Sequence, residues 1–319
     1  MKTIIIGAGA VGLLAAIKFP HAEIIEAAAE LPHNHHAVLR FRNTDVSNLT
    51  GIKFKKVTVE KGIFRDGVIT NHATILDLNQ YAIKCTGTVG ASRSIKSLSS
   101  ETRYIAPDDF IEQLANKVGK SRIQFGKSFD FSACTSERPQ RVISTAPLGV
   151  VLNQLNISIE QSSEINRHVT VWVRRIKLSS CRGCYQTIYF PEPGMVTYRA
   201  SITDDTLIVE STVIPASDAE VCAVAAAFGV YLYLGDLSQD DDSFKQPSGK
   251  MTGLDSDVRR AILFELTNKY GIYSVGRLAT FRHVLLDDVV NDLEVIRQLM
   301  EADSYLRSKT FSSHMGQLP

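Results

Sequence analysis

The stretch Thr3-Ile-Ile-Ile-Gly-Ala-Gly-Ala-Val-Gly12 decides the fold. Its isoleucines predict a short buried strand, and glycines spaced Gly-x-Gly-x-x-Gly follow that strand directly. The next residues, Leu13–Phe19, favour a helix, and a second apolar run then ends at Glu26. Strand, glycine turn, helix, strand and acid in this order indicate a βαβ unit that binds a dinucleotide.

Each part of this unit has a mechanical use. Gly7 permits the tight turn out of the strand, Gly9 lets a pyrophosphate approach the backbone, and Gly12 lets the helix pack against the sheet. Amides at the helix start attract phosphate charge. Glu26 is placed to accept hydrogen bonds from a ribose. Because an acid here disfavours a ribose 2′-phosphate, NADP is the least expected of FAD, NAD and NADP.

Composition bounds the class of protein. The chain has 319 residues, 44% hydrophobic and 22% charged, with a formal net charge of +1. These values predict a globular protein with a sizeable core, and bulk charge points to neither nucleic acid nor membrane. No apolar stretch is long enough to span a bilayer, so we expect a cytoplasmic protein. Three basic runs fit either strands with solvated outer faces or local basic patches: Leu39–Arg42, Lys53–Lys56 and Val173–Lys177.

Cysteine usage fits a reducing compartment. Cys181-Arg-Gly-Cys184 has the spacing of half a zinc site or of a redox pair. No second pair exists in the sequence, and the histidine cluster His33/His35/His36 lies far away. We therefore expect no metal site and interpret the two thiols as lying near a strand end.

The remaining pattern predicts alternating layers. Residues 52–72 predict short strands with a turn at Arg65–Gly67, and Asp108–Val118 predicts a helix. Arg141–Pro147 predicts a buried strand that leads into a turn. Four strand-like runs indicate an antiparallel meander: Val169–Val173, Tyr185–Phe190, Val196–Ile202 and Thr206–Glu210.

The last third of the chain is predicted to return to α/β character. Ala219–Phe228 predicts a helix, and the acidic run Ser238–Ser243 predicts a loop. Ile272–Val275 predicts a strand that ends in a turn at Gly276 and Arg277. A long helix is expected from Asp287 to Ser308.

The segment Tyr273-Ser-Val-Gly-Arg-Leu-Ala-Thr-Phe-Arg-His283, followed by Asp287 and a helix, resembles the closing motif of UDP-galactopyranose mutases. The resemblance implies that Gly276, Arg277 and Asp287 hold phosphate and ribityl groups of FAD. A guanidinium and a positive helix end suit a pyrophosphate. The two end motifs together favour FAD over NAD as cofactor.

Three internal segments resemble the same family. Val142–Pro147 is similar to a strand that passes near the flavin, which assigns Pro147 to the cofactor. Tyr189–Pro193 with Tyr198 and Arg199 resembles the sheet segment whose arginine meets the substrate. The resemblance implies that Arg199 binds a substrate carboxylate or phosphate, with Tyr189 and Tyr198 lining the site. Asn79–Lys84 faintly resembles a stretch of the substrate domain.

The resemblance implies an α/β fold, with a Rossmann-like FAD-binding domain and an inserted antiparallel β-rich substrate domain. The expected domains are discontinuous in sequence. Residues 1–49, 105–155 and 256–319 are assigned to the FAD-binding domain. Residues 50–104 and 156–255 are assigned to the substrate or cap domain.

The sequence departs from the mutases at several positions. Residues 50–104 leave little room for their helical substrate domain, and their glycine pair after the ribose acid is absent. His33–His36 stands in that region, His283 replaces an aromatic, and Leu285 stands where an acid is expected. These histidines are either substrate ligands or general bases, or part of an exposed polar loop. We include His283 among the candidate catalytic residues.

The compact chain also resembles short mutase-like flavoproteins of tailed phages. The similar runs are Leu39–Arg42, Leu49–Lys56 and Arg103–Pro107, and Arg40 in the first run is assigned to the cofactor. Some such flavoenzymes are implicated as lyases acting on amino acids attached to thymine in hypermodified DNA. The resemblance implies an FAD-dependent lyase or oxidase acting on such a modified thymidine.

That interpretation makes a small polar or nucleotide-containing substrate, or modified DNA, the expected partner. Residues then assigned to the DNA backbone are Arg93, Arg103, Lys53, Lys55 and Lys56. A flavin-N5-dependent UDP-galactopyranose mutase is the alternative reading. A flavin-binding protein without catalysis is a third.

Overall fold

The computed structural model describes residues 2–31, 39–89, 95, 97–135, 141–158, 168–179, 181–233, 237, 241–251 and 254–302. The chain divides into two compact units. Unit 1 comprises Met1–Lys55, Tyr104–Asn166 and Gly253–Pro319, and unit 2 comprises Lys56–Arg103 and Arg167–Thr252. Both units are therefore discontinuous in sequence.

The helices and strands alternate through most of the described chain. In chain order they are β1 (Thr3–Ile6), α1 (Ala10–Lys18), β2 (Glu23–Ile25), β3 (Arg40–Phe41), α2 (Asp45–Thr50), β4 (Lys55–Arg65), β5 (Val68–Thr70), α3 (Ile75–Thr86), β6 (Glu101–Ile105), α4 (Phe110–Val118), β7 (Ile123–Gln124), β8 (Arg141–Ser144), α5 (Leu148–Gln154), β9 (His168–Lys177), β10 (Cys184–Tyr189), β11 (Thr197–Asp204), β12 (Thr206–Thr212), α6 (Asp218–Ala227), β13 (Asp241–Met251), α7 (Ser256–Tyr270), β14 (Ile272–Ser274), α8 (Arg277–Thr280) and α9 (Leu286–Glu301).

Unit 1 is built on a parallel sheet of order β14-β8-β1-β2-β7. Its strands are short apolar runs because helices cover them, so Ile5, Ile24 and Val142 are fully buried. Helix α1 packs against α4 and α9. Strands β3 and β6 form a short antiparallel pair, with Arg40 opposite Ile105. The predicted opening βαβ unit is confirmed.

Unit 2 contains a mixed sheet in which β13, β9, β12, β11, β10 and β4 follow one another. The pairs from β13 to β10 are antiparallel, whereas β10 and β4 are parallel. Helix α6 packs on this sheet, where Val221 and Val224 join a buried cluster with Ile188, Ala200 and Val209. The fold is thus α/β, with one parallel and one mixed sheet, which confirms the predicted fold class.

The predicted meander is correct only for β10, β11 and β12. Strand β9 pairs with β12 rather than with β10, because the other edge of β10 is taken by β4. The short strands expected over residues 52–72 are one long strand, β4, and its hairpin partner β5. The predicted turn between them is confirmed, with positive φ at Asp66 (49°) and Gly67 (76°), as a tight hairpin requires.

Other predictions were wrong in extent. The acidic run predicted as a loop over Ser238–Ser243 enters β13 at Asp241, since pairing with β9 overrides its weak strand propensity. Helices α2, α3, α5, α7 and α8 were not predicted. Helix α9 ends at Glu301, and residues 303–308 of the predicted helix lie outside the described part. Within the described ranges, no helix combines the length and apolar character that crossing a membrane would require.

Candidate cofactor and substrate sites

The glycine turn of unit 1 leaves no spare room at two of its three glycines. Gly7 adopts φ +96°, and a Cβ there would lie 2.1 Å from Thr145 Oγ1. A Cβ on Gly12 would lie 1.9 Å from the Gly7 carbonyl oxygen, so only glycine lets α1 start this close to β1. By contrast, a Cβ on Gly9 would meet nothing within 4 Å. Open space at Gly9 and tight packing at its neighbours are what a phosphate-binding turn needs.

Glu26 is held in place by the backbone of the same turn. Its Oε2 accepts a hydrogen bond from the Ala8 amide at 2.6 Å, and its Oε1 accepts one from the Ala28 amide at 2.8 Å. Each carboxylate oxygen retains further acceptor capacity. The carboxylate is therefore oriented beside the glycine turn, where it is able to accept hydrogen bonds from hydroxyl groups.

The predicted Gly276–Arg277 turn lies against the same helix start. Gly276 has φ +87°, and a Cβ there would approach both γ carbons of Val11 to 3.1 Å. Gly276 thus brings the end of β14 next to the first turn of α1. Arg277 follows it as a half-buried residue at the beginning of α8.

Asp287 lies in the first turn of α9, is only 4% exposed and is engaged by Arg42. Its Oδ2 accepts hydrogen bonds from the Arg42 amide at 3.1 Å and from Arg42 Nε at 3.3 Å. Arg42 also pairs with Asp288. Burial would lower the pKa of Arg42, but these two carboxylates outweigh it and raise that pKa. Oδ1 of Asp287 is buried and has no hydrogen-bond partner among the described atoms.

Three further predicted residues of unit 1 differ in exposure. Arg40 is half-buried on β3, and Pro147 is exposed at the start of α5. Pro147 follows Thr145, whose amide and hydroxyl both donate to the Ile6 carbonyl at 3.0 and 2.8 Å. His283 is exposed between α8 and α9. Of the residues predicted to hold the cofactor, the structure groups five around the start of α1: Gly7, Gly9, Gly12, Glu26 and Gly276.

These residues fit the adenosine-diphosphate part of a dinucleotide. The cradle is made of positions that a Cβ would fill, and its acid is already oriented by two amides. The first amides of α1 have no helical acceptors and point toward the turn, as in any α-helix. Among the described residues, no group of three His, Cys, Asp or Glu side chains is placed to hold a metal ion.

In unit 2 the predicted residues Tyr189, Tyr198 and Arg199 lie on neighbouring strands. Arg199 is directly opposite Tyr189 on β10 and Glu210 on β12. Its Nε pairs with Glu210 Oε2, and its Nη2 donates to Oε1 at 2.7 Å. The Tyr198 hydroxyl donates to the same Oε1 at 3.0 Å. Glu210 therefore fixes two of the three predicted side chains.

Burial and charge act against each other in this cluster. Burial alone would raise the pKa of Glu210, but Arg199 and Lys250 reverse that effect and lower it. Burial and the Glu210 carboxylate raise the pKa of Tyr198. Lys250 Nζ lies 4.5 Å from the centre of the Tyr198 ring. Glu210 is thus held as an anion between two cations, and the cluster carries a net positive charge.

Helix α3 adds a second layer to the cluster. The fully buried Tyr81 packs edge-on against Tyr189 at 5.4 Å and against Tyr198 at 6.1 Å between ring centres. Lys84 donates to the carbonyls of Phe190 at 2.7 Å and Thr197 at 3.0 Å, and also to that of Glu192. Burial lowers the pKa of Lys84 to about 8. Through Lys84, the segment Asn79–Lys84, which was predicted to belong to a substrate domain, thus holds the connection between β10 and β11 in place.

Other predicted residues are placed apart from this cluster or outside the described part. Arg103 pairs with Glu101, whose other oxygen accepts Lys61 Nζ at 2.6 Å. The lysines Lys53, Lys55 and Lys56 are exposed. Cys184 is the first residue of β10. Burial is the main cause that raises the pKa of its thiol, and the nearby Cys181 raises it further. Arg93, His33, His35 and His36 lie outside the described residues.

Sequence reasoning missed Glu210, Lys250 and Arg42. A signal existed for Glu210, because one acid ends the apolar run Thr206–Glu210 and a buried carboxylate requires a partner. Lys250 lies on β13, which was not predicted. Arg42 meets Asp287 across most of the sequence, and no local pattern marks that contact.

No protein-family model and no curated protein matches this sequence. Solved structures do match. Reduced UDP-galactopyranose mutase aligns over 99% of both chains with a TM-score of 0.68 and 15% identity. Putrescine oxidase bound to putrescine aligns over 94% of this chain and 99% of its own, with a TM-score of 0.58 and 11% identity. Klebsiella pneumoniae HpxO complexed with FAD and uric acid aligns over 98% and 83%, with a TM-score of 0.54 and 14% identity.

The chain shares the fold of these proteins. At such low identities the likeness is one of fold. It agrees with the expected similarity to UDP-galactopyranose mutase, while the assigned roles of individual residues remain predictions.

Proposed function

We propose that this chain is an FAD-dependent enzyme whose unit 1 holds the adenosine-diphosphate part of the cofactor. One observation carries the proposal: Glu26 is oriented by the Ala8 amide beside a glycine turn that is open only at Gly9. The fold supports FAD in particular, since the HpxO structure of the same fold is complexed with FAD. Gly276 and Arg277 complete the cradle from a distant part of the sequence.

The chain's own residues have separate tasks in this proposal. Glu26 accepts the ribose hydroxyls, and the amides at the start of α1 face the pyrophosphate. Arg277 supplies a cation to the same phosphates. When bound, FAD supplies two-electron chemistry, and the protein supplies binding, orientation and electrostatics.

The visible spectrum of the purified protein tests the cofactor. A flavin absorption band that FAD addition restores after stripping is expected, and its absence in the presence of excess FAD would refute the proposal. Gly9→Ala is the matched variant, because its Cβ clears every protein atom by 4 Å yet occupies the phosphate approach. We expect at least about tenfold weaker FAD binding, equivalent to about 1.4 kcal/mol, with an unchanged melting temperature of the apoprotein.

For the reaction, we favour a lyase or oxidase that acts on an amino-acid-modified thymidine in phage DNA. The resemblance of Leu39–Arg42, Leu49–Lys56 and Arg103–Pro107 to phage flavoproteins supports this substrate, as does a fold shared with putrescine oxidase bound to an amine. Arg199 then binds the carboxylate of the amino acid, with Tyr189 and Tyr198 beside it. The exposed side chains of Lys53, Lys55 and Lys56 suit the phosphates of a DNA backbone, and Arg103 lies beside Glu101.

Anaerobic mixing with an oligonucleotide that carries an aminated thymidine tests this reaction. Bleaching of the flavin band is expected, and an unchanged spectrum would exclude the lyase and the oxidase. Arg199→Ala should weaken substrate binding while the flavin content stays the same. Loss of flavin from that variant would contradict the role assigned to Arg199.

A UDP-galactopyranose mutase is the second candidate, favoured by the alignment over 99% of both chains. In that case Arg199 holds the UDP diphosphate. Reduced protein mixed with UDP-galactofuranose and dithionite should then form UDP-galactopyranose, and no such product would exclude it. A protein that binds flavin but fails both assays would be either a flavin-binding protein without catalysis or another flavin oxidoreductase.

A further inference from the structure

A pocket of about 540 Å³ opens on unit 2, apart from the Arg199–Glu210 pair. Strands β9 and β13 form one side, and the turn that leads into α6 forms the other. The lining residues are Trp172, Arg174, Pro215, Ala216, Ser217, Asp218, Ser243, Phe244 and Lys245. None of them has a role in the proposed function.

The pocket presents an oriented aromatic ring with a cation over its face. Trp172 is the single tryptophan of the chain, is half-buried, and donates its indole N–H to the Val213 carbonyl at 3.4 Å. Lys245 is directly opposite Trp172 in the β9–β13 register, and its Nζ lies 5.3 Å from the ring centre. An indole with its edge anchored has a defined face to offer a flat ligand.

The turn on the other side of the pocket is strained. Val213 has φ +71°, a conformation that a β-branched residue adopts only when its surroundings impose it. Val213 is 82% exposed and the neighbouring Ile214 is 54% exposed, so burial of their side chains does not explain this conformation. Strained backbone of this kind concentrates at ligand-binding segments. Here it places the Val213 carbonyl where it holds Trp172.

The charge of the pocket is positive. Arg174 is buried and holds the turn through the Ala216 carbonyl at 2.9 Å and Asp218 at 2.8 Å. Among the lining residues, the charges of Arg174 and Asp218 offset each other. The exposed Lys245 then adds one positive charge at the rim of the pocket. An aromatic face with one surplus cation selects a flat ring that carries an anionic group.

We propose that this pocket binds a nucleoside phosphate, with the base on Trp172 and the phosphate at Lys245. The ligand is either a free nucleotide or one nucleotide of a single strand, which present the same chemistry. Stacking on a tryptophan is tolerant of base identity, so the site recognises the class rather than one base. This site is independent of the proposed flavin chemistry.

Quenching of tryptophan fluorescence tests the proposal, because Trp172 is the chain's single tryptophan and reports on its own surroundings. The protein is titrated with thymidine monophosphate and, separately, with a short oligothymidylate. Saturable quenching by at least one is expected, and quenching by neither would overturn the proposal. Equal affinities assign the site to free nucleotides, whereas a clear preference for the oligomer assigns it to single strands.

Variants separate this pocket from the glycine turn of unit 1. Lys245→Ala removes an exposed side chain, so the fold is expected to persist, and affinity should fall roughly tenfold. Lys177→Ala removes another exposed lysine of the same unit, outside the pocket, and should change nothing. An equal loss in both variants would overturn the proposed phosphate contact. Thymidine and inorganic phosphate alone should each bind more weakly, and equal binding of phosphate would contradict the stacking on Trp172.

Discussion

The two candidate sites differ in the parts of the chain that form them: backbone and glycine positions in one, side chains in the other. Around α1, the cradle consists of backbone and of positions where side chains are missing, and one acid is fixed by the amides of Ala8 and Ala28. Around Arg199, the cluster consists of side chains from β11, β12, β13 and α3 that meet only through strand pairing and helix packing. The first kind of site tolerates no added atom at Gly12. We expect the second to tolerate replacement as long as partners are replaced together.

The largest effect is expected at Gly12. Gly12→Ala places a Cβ 1.9 Å from the Gly7 carbonyl, and helix and strand must separate to admit it. We expect the free energy of unfolding to fall by about 3 kcal/mol. Urea denaturation of the apoprotein measures this, with Gly9→Ala as the control that keeps wild-type stability. Equal stability of the two variants would remove the contrast between tight and open glycines.

A smaller effect is expected at Glu210. Glu210→Ala leaves the Arg199 guanidinium and the Tyr198 hydroxyl without their partner. Because the Arg199 side chain is 34% exposed, water offsets part of the loss, and we expect about 2 kcal/mol rather than the larger cost of a fully buried pair.

The double variant Arg199→Met/Glu210→Leu sharpens this prediction. It removes both charges and should recover most of the lost stability. A double-mutant cycle of Arg199→Met, Glu210→Leu and the double variant, measured by urea denaturation, gives the coupling free energy. Strict additivity would mean that the pair does not organise the cluster.

A pH dependence of about the same size is expected from Lys84. Its pKa falls from 10.5 to about 8 on folding, chiefly because it is buried. Between these values the unfolded chain keeps a proton that the folded chain has lost, so stability rises with pH across that window. We expect a gain of about 2 kcal/mol relative to Lys84→Met. The measurement is the free energy of unfolding of each protein as a function of pH. Parallel curves would show that Lys84 stays charged while it donates to its three carbonyl acceptors.

The same division explains what the sequence predicts. The strand, helix and strand around Gly7–Gly12 were predicted because each signal is local and its residue types follow from turn geometry. The ion pair of Arg199 with Glu210 depends on a register between two strands, and no single-strand pattern contains that information. Family resemblance identified Arg199 without its partner.

Strand β13 shows a second limit. Its sequence, Asp-Asp-Ser-Phe-Lys-Gln-Pro-Ser-Gly-Lys-Met251, holds charges, a proline and a glycine, all poor strand formers. It forms a strand by pairing with β9, and its poor strand formers are tolerated because β13 lies at the edge of the sheet. At an edge, such residues also deter pairing with other chains. Edge position is a property of the assembled sheet. Lys245 in the Trp172 pocket and Lys250 beside Tyr198 were therefore not recognised as site residues.

The contact of Gly276 with Val11 has a consequence for how the protein is made. During synthesis the glycine turn leaves the ribosome before β8 and β14, which place Gly276 beside it. The nascent chain therefore carries a half-built cradle until β14 has been made. Long-range closure of this kind is slow and leaves apolar strands waiting for their neighbours. Cofactor capture by the whole cradle thus belongs among the last events of folding.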